Sequence, residues 1–284
     1  MDSLVRLNVD LHCHSTVSDG VLSPTEVATR AAGNGVQVWS LTDHDEVGGQ
    51  QEAARVAREL GMTYIPGIEI SVTWAEHTLH IVGLGIDPEN AAMNAGLKRI
   101  RDDREQRARV MSDKLAEFGI MNAYEGALKY ADNPNLLSRT HFARYIVETG
   151  HCKNMQEVFD KYLADGKPAY IAGDWASLEE AINWINHAGG IAVIAHPGRY
   201  KYSRSEFATL YKTFKLMGGR GIEVVTGSHT VDQFHQYAHI ARQYGFLASC
   251  GSDFHSPSES SMDLGKLPPL PSGLTPVWEE LIKS

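Results

Sequence analysis

The sequence predicts an α/β protein, a distorted TIM-like barrel of about seven β/α units with a helical insertion over its C-terminal face. Three observations carry that expectation. Short, nearly continuous apolar runs alternate with longer helical patterns, as in a parallel sheet covered by helices. The alternation breaks once, between residues 88 and 172, where helical stretches follow one another directly. Histidines and carboxylates stand at the ends of the apolar runs, where a barrel enzyme keeps its chemistry.

The first run, "RLNVDLH", leads into "SPTEVATRAAGNG", a helix opened by Ser-Pro and stopped by Gly. "VQVWSLTDHD" and "GGQQEAARVARELG" repeat the pair, and "TYIPGIEIS" adds a third run. After residue 175 the alternation returns: "SLEEAINWINHAGG" precedes "IAVIAHPGR", "SEFATLYKTFKLMGG" precedes "GIEVVTG", and "TVDQFHQYAHIARQYG" precedes "FLASCGSDFH". Residues 1–87 and 173–284 are therefore expected to build the barrel, and residues 88–172 a helical lid. The tail "LPPLPSGLTP" reads as an extended surface closure.

A chain of 284 residues, 43% hydrophobic and 21% charged, is long enough to bury one large core. Its formal charge of -9 argues against binding long nucleic acid through the overall field, because that mode needs a basic face to displace counterions. Any anionic substrate must be met by local positive charge. Cys13, Cys152 and Cys250 are odd in number and far apart, which suggests neither a disulfide framework nor a thiolate zinc site. The stretch "MDSLVRLNVD" has no basic start followed by a long apolar segment, and nowhere do roughly 18 apolar residues run uninterrupted. A cytoplasmic protein that does not engage a membrane is expected; its oligomeric state is not legible.

In a strand, successive side chains point to opposite faces, so in "DLHCH" His12 and His14 share one face and Cys13 takes the other. Alone, that pair reads equally well as a core strand with polar residues. The other strand ends shift the balance. "SLTDHDE" places His44 between Asp43 and Asp45, "IPGIEIS" places Glu69, and "HTLHIVG" places His80. "IAVIAHPGR" ends in His196, "LASCGSDFH" in Asp253 and His255, and Asp19 sits in "STVSDG" after the first run. Six histidines and three carboxylates converging at one barrel end cannot all satisfy one another by hydrogen bonds. Such a set without thiolates suits manganese, iron or zinc, and is too large for one ion. Asp43 and Asp45 either orient His44 or cap the next helix. His77, His141, His187, His229, His235 and His239 have no partner in the pattern and read as surface or packing residues.

The ordered motifs "DLHCHS…SDG", "LTDHD", "GIEIS", "HIVG", "AHPGR" and "GSDFH" resemble the PHP (polymerase and histidinol phosphatase) family of phosphoesterases over the whole chain. The resemblance is nearest to its stand-alone bacterial branch, which hydrolyses 3′,5′-nucleoside bisphosphates and, in some members, trims short RNA from the 5′ end. It implies the PHP fold and a trinuclear site, with manganese the first choice of metal. His12, His14, Glu69 and Asp253 would hold one ion; Glu69 would be shared with a second, held also by His80 and His196; Asp19, His44 and His255 would hold the third. Hydrolysis at phosphorus would then follow from a metal-bound water, with Asp19 or His196 as candidates to protonate the leaving alkoxide.

Substrate choice is expected to lie in the insertion. In "RIRDDREQRARV", Arg101, Arg104 and Arg107 recur on one helical face, with Arg109 following, and "SRTHFAR" adds Arg139. Guanidinium forks match phosphate geometry, so Arg107, Arg109 and Arg139 are candidates for a second phosphate, with Arg199 of "HPGRY" at the first. The competing reading is a solvated face, because Asp102, Asp103 and Glu105 interleave the stripe. Trp74 is a candidate for stacking on a base. The expected substrate is a nucleotide or short oligonucleotide. The alternatives are a histidinol-phosphate-type phosphatase, which would leave the arginines unused, and an amidohydrolase acting on C–N bonds. The second shares H-x-H and the closing Asp but commonly bridges its ions with a modified lysine, whereas these strand ends offer Glu69.

Overall fold

The structure is a computed structural model that describes residues 7–282. Residues 1–6, part of the N-terminal stretch read above, lie outside the described residues. Strand β1 (Val9–Asp10) is followed by helix α1 (Pro24–Gly33), β2 (Val38–Trp39), α2 (Gln50–Glu59), β3 (Thr63–Tyr64), β4 (Gly67–Trp74) and β5 (His77–Leu84). Next come α3 (Ala91–Ala116), α4 (Ala123–Leu128), α5 (Arg139–Glu148) and α6 (Met155–Val158). The chain then returns to β6 (Ala176–Ser177), α7 (Leu178–His187), β7 (Ile191–Ile194), α8 (Arg204–Leu216), β8 (Gly221–Thr226), α9 (Val231–Tyr244), β9 (Leu247–Gly251) and α10 (Trp278–Leu281).

Strands pair in the orders β1-β2-β3 and β6-β4-β5-β7-β8-β9. Backbone bonds join the two sets at both ends. Leu11 N–H donates to Cys250 O (3.0 Å) and His14 N–H to Phe254 O (2.8 Å), tying β1 to β9. Glu69 N–H donates to Asp43 O (3.2 Å) and Asp45 N–H to Glu69 O (2.9 Å), tying the chain beyond β2 to β4. The strands thus follow one another around a barrel. Where β9 meets β1, a Cβ on Gly251 would stand 2.1 Å from His12 Cβ, so only glycine lets the seam close there.

The helix signals hold locally. Ser23, Ser177, Ser203 and Thr230 each accept from the backbone of a Glu or Gln three residues on, whose side chain reaches back. One strand departs from the all-parallel expectation: β5 runs antiparallel to both β4 and β7. Ala75 and Glu76 make the two-residue turn between β4 and β5, both with positive φ (49° and 66°), and so short a link returns the chain antiparallel. Neither residue is a glycine or asparagine, so the turn carried no signal in the sequence.

Helices α3 to α6 intervene between β5 and β6. The first turns of α3 bury Met93, Leu97 and Ile100 in the barrel's core, whereas Met111 and Leu115, further along, pack with Phe142, Ile146, Val158 and Leu163 in a separate apolar cluster. One long helix therefore anchors in the barrel and carries the rest of the helical segment.

Candidate metal centre

Strand periodicity places the first donors. Cys13 is fully buried among Val27, Leu41 and Phe254 and accepts from Trp39 Nε1–H (3.2 Å), while His12 and His14 point the other way into the barrel mouth. Past His14 the chain turns sharply. A Cβ on Gly20 would stand 2.5 Å from His14 O, so glycine lets the loop fold back and bring Asp19 beside the histidines.

Glu69, buried on β4, lies at the centre. Its Oε2 is 3.3 Å from His12 Nε2, 3.3 Å from His14 Nε2 and 3.0 Å from His44 Nδ1. Its Oε1 is 3.0 Å from His80 Nδ1 and 2.9 Å from His196 Nε2. Asp253 Oδ1 faces His14 Nε2 at 3.2 Å and both His12 Nε2 and His255 Nδ1 at 3.6 Å. Asp19 Oδ1 faces His255 Nε2 at 3.3 Å and His44 Nε2 at 3.9 Å. All nine residues singled out in the sequence converge.

The donor atoms fall into four sets, each with its atoms within 4.8 Å of one another: His12–His14–Asp253, His12–Glu69–His196, His44–Glu69–His80 and His14–Asp19–His44–His255. The grouping is more interleaved than the resemblance implied. His80 and His196 meet Glu69 in separate sets, and His14 reaches the Asp19 set as well.

Charge explains why a cation fits. Burial alone would raise the pKa of Glu69, Asp19 and Asp253, yet the surrounding cationic groups hold all three well below the usual carboxylate range. Burial would likewise lower that of His14, but the facing Asp253 and Glu69 outweigh it and push it up to about 10. Several facing atoms make no hydrogen bond although buried, among them His12 Nε2, His14 Nε2, His44 Nδ1, His80 Nδ1, Glu69 Oε2 and Asp253 Oδ1. Buried polar atoms left without partners are costly, and divalent ions would satisfy imidazole lone pairs and carboxylates together.

Three residues around the centre hold backbone conformations that side chains disfavour: Asp45 (φ 51°), His196 (φ 25°) and Asp253 (φ 55°). Asp43 and Asp45 correct both roles expected of them, since neither bonds His44 nor caps a helix. Asp43 accepts from Ser15 N–H (2.8 Å), Ser15 Oγ–H (2.7 Å) and Ser18 Oγ–H (2.6 Å), bracing the loop that carries Asp19. Asp45 accepts from Ser71 N–H (2.7 Å) and Ser71 Oγ–H (2.8 Å) and pairs with Arg104.

Two residues here escaped the sequence reading. Glu223 accepts from His12 Nδ1–H (2.8 Å) and His196 N–H (2.6 Å); a carboxylate inside the apolar "GIEVVT" was the available signal. The Tyr200 hydroxyl accepts from His80 N–H (2.9 Å) and lies 3.3 Å from His196 Nδ1. Nothing in the sequence marked it.

Above the donors opens a cavity of about 720 Å³, shared between barrel and helical segment, whose walls include Arg104, Arg107, Arg139, Arg199 and Trp175. Arg104 and Arg107 lie over the Trp175 ring, 4.8 and 4.9 Å from its centroid. Burial and the neighbouring Arg139 and Arg104 lower the pKa of Arg107 to about 9. Arg199 pairs with Asp253 and also borders the cavity. Arg101 bonds Asp45 O (2.7 Å) and is absent from the cavity wall.

Arg109 is a correction. It is exposed, pairs with Glu105 (2.8 Å) and covers Tyr124, because two residues past Arg107 is more than half a turn around the helix. Trp74 packs edge-on against Tyr202 and is absent from the cavity wall; Trp175 supplies the aromatic face instead. Of the histidines read as surface or packing, His141 and His229 are buried, and His77 makes an exposed pair with Asp165 (2.6 Å).

An α/β barrel whose mouth gathers histidines and carboxylates in clusters that suit divalent metal ions, beneath an arginine-lined cavity, belongs among the metal-dependent barrel proteins. Residues 10–227 match the PHP domain, and the chain belongs to that family. A 3′,5′-nucleoside bisphosphate phosphatase of Chromobacterium violaceum is 51% identical over 96% of either chain. A 5′-3′ exoribonuclease of Haemophilus influenzae is 44% identical over 95% of this chain and 98% of its own. A solved Chromobacterium violaceum structure, described as an amidohydrolase with bound sulfate and no metal, matches with a TM-score of 0.94 at 50% identity, covering 97% of this chain and 96% of that one.

Proposed function

We propose that this protein is a metal-dependent phosphoesterase that removes the 3′-phosphate of 3′,5′-nucleoside bisphosphates, giving nucleoside 5′-phosphate and orthophosphate, and that it also trims short RNA from the 5′ end. The observation that carries the reading is the pairing of two sites in one cavity. Metal-type donors stand on one side, and Arg107 and Arg139 on another. The hydrogen bonds of these two guanidiniums go to the backbone carbonyls of Ile171 (2.8 Å) and Leu163 (3.2 Å), and among the described residues neither has an ion-pair partner. Positive charge that is buried at Arg107, half-buried at Arg139 and without a carboxylate partner is what a phosphate would complete.

His12, His14, Asp19, His44, Glu69, His80, His196, Asp253 and His255 would hold three ions, manganese in preference to iron or zinc. Bound there, such ions would acidify water near neutral pH and offset negative charge on a phosphoryl group. Arg107 and Arg139 anchor the distal phosphate, Arg199 holds Asp253 beside the reacting one, and the helical segment at 88–172 acts as the lid. The neighbouring His255 and His44 hold the Asp19 carboxyl well below its usual range although burial opposes them, while burial and Arg199 lower His196 to about 4. Both lie among the donors, so each is a ligand first and a candidate to protonate the leaving alkoxide only where its donor atom is not engaged with an ion.

A histidinol-type monophosphate would leave the distal guanidiniums without an anion. The amidohydrolase alternative lacks its bridging group, since the cavity wall contains no lysine among the described residues and Glu69 fills the central place. No helix among the described residues is long and apolar enough to cross a membrane, and the charge of -9 fits free nucleotides or short oligonucleotides better than long nucleic acid. A cytoplasmic location accords with these features.

The test is phosphate release from adenosine 3′,5′-bisphosphate with manganese and with chelator. Metal-dependent release, abolished by His12→Ala, is the expected result. An untouched bisphosphate with fully metallated protein overturns the reading.

A further inference from the structure

We propose that Glu223 is a positioning residue that fixes two members of the metal centre at once, setting the proton position on His12 and the backbone bend at His196. The proposal rests on the metal-site reading above but not on the identity of the substrate.

Glu223 lies in β8, where every residue is buried, and its side chain is fully shielded from solvent. A carboxylate in such a place is retained only if both oxygens are engaged. Both are: Oε1 accepts from His12 Nδ1–H at 2.8 Å and Oε2 from His196 N–H at 2.6 Å. The register of β8 against β9 slips between Glu223 and Val225, an irregularity of the kind that re-aims a side chain near a site.

The first bond has a chemical consequence. With the proton held on Nδ1, His12 keeps its Nε2 lone pair, which faces Glu69 Oε2 (3.3 Å) and Asp253 Oδ1 (3.6 Å), for a metal ion. The second bond is mechanical. His196 sits at φ 25° and ψ 58° immediately before Pro197, a conformation that a residue preceding proline does not adopt unaided. Glu223 holds the N–H of that bend, and the bend aims His196 Nε2 at Glu69 Oε1 (2.9 Å). Glu223 belongs to none of the four donor sets, so it acts through other residues and touches no ion itself.

Glu223→Gln tests this with little change of volume. A glutamine has one oxygen for two donors, so its amide must oppose either His12 Nδ1–H or His196 N–H. Manganese affinity, measured by chelator competition, is expected to fall about 10- to 100-fold, as for other partners of ligating histidines. A second readout separates positioning from general support. In zinc-loaded protein labelled with ¹⁵N-histidine, wild-type His12 is expected as the Nδ1–H form with Nε2 bound, and that signature should be perturbed in Glu223→Gln. Circular dichroism in chelator confirms that the variant folds, and Glu223→Asp, which keeps both acceptors, should recover part of the affinity.

Unchanged metal affinity and an unchanged His12 signature in folded Glu223→Gln overturn the proposal even if the bisphosphate is hydrolysed. Weakened metal binding in a protein that leaves the bisphosphate intact supports it and sinks the substrate reading instead. A wild-type protein that binds no manganese or zinc overturns both.

Discussion

Ser138, the N-cap residue of α5, donates its hydroxyl to Asp19 Oδ2 at 3.0 Å, so the helical segment grips a carboxylate of the metal centre. Ser138 Oγ in turn accepts from Thr140 N–H (3.1 Å), capping the helix that carries Arg139. Ser138→Ala is therefore expected to act twice. Loss of the cap lowers stability by about 1 kcal/mol, read from denaturant midpoints. Loss of the grip on Asp19 weakens metal retention, read as metal per chain after gel filtration against a fixed chelator concentration. Full retention at wild-type levels would mean that the Asp19 loop is held well enough by Asp43 alone.

Arg139 and Arg107 can be separated from the metal chemistry by choice of substrate. Arg139→Ala is expected to raise KM for a 3′,5′-bisphosphate by about tenfold or more, since hydrogen bonds to charged groups contribute about 1.5–3 kcal/mol. It should leave hydrolysis of a nucleoside 3′-monophosphate, which has no distal phosphate, nearly unchanged. Equal losses on both substrates would show that the side chain supports the lid rather than reads the second phosphate.

The donor set was legible because its signal is one-dimensional. Apolar runs ending in His12, His14, His44, Glu69, His196 and Asp253 need only strand periodicity and a shared barrel end to converge. The hairpin that reverses β5 was not legible, because Ala75 and Glu76 adopt left-handed conformations with no glycine or asparagine to announce them. Asp43 and Asp45 were misread for a related reason. Their partners, Ser15, Ser18, Ser71 and Arg104, come from distant segments, and local capping rules carry no information about such bonds. Arg109 follows Arg107 by two residues, more than half a turn around the helix axis, so proximity in sequence did not put it on the cavity face.

Arg109 offers a control that exploits that correction. Its guanidinium pairs with Glu105 on an exposed face and covers Tyr124, away from the cavity. Arg109→Ala is expected to leave kcat and KM for the bisphosphate at wild-type values and to change stability by no more than about 0.5 kcal/mol. A marked rise in KM would place a substrate segment along the outer face of α3 and would favour an oligonucleotide over a mononucleotide.

Metal loading should release protons, and the sign follows from His14. In the metal-free protein the Asp253 and Glu69 carboxylates outweigh burial and raise its pKa to about 10, so near pH 7 the ring is cationic and partners the two acids. A raised histidine pKa contributes stability to the metal-free fold that is fully present below the unfolded value near 6.5 and is lost as pH rises through about 10. A divalent ion needs the neutral ring, so binding at pH 7 must expel that proton, and affinity must climb with pH over the same window. Titration calorimetry in two buffers of different ionisation enthalpy measures the count directly. At least one proton per chain is expected to appear at pH 7, with fewer above pH 10. A buffer-independent binding enthalpy at pH 7 would show that His14 is already neutral and that the acids around it are balanced by other groups.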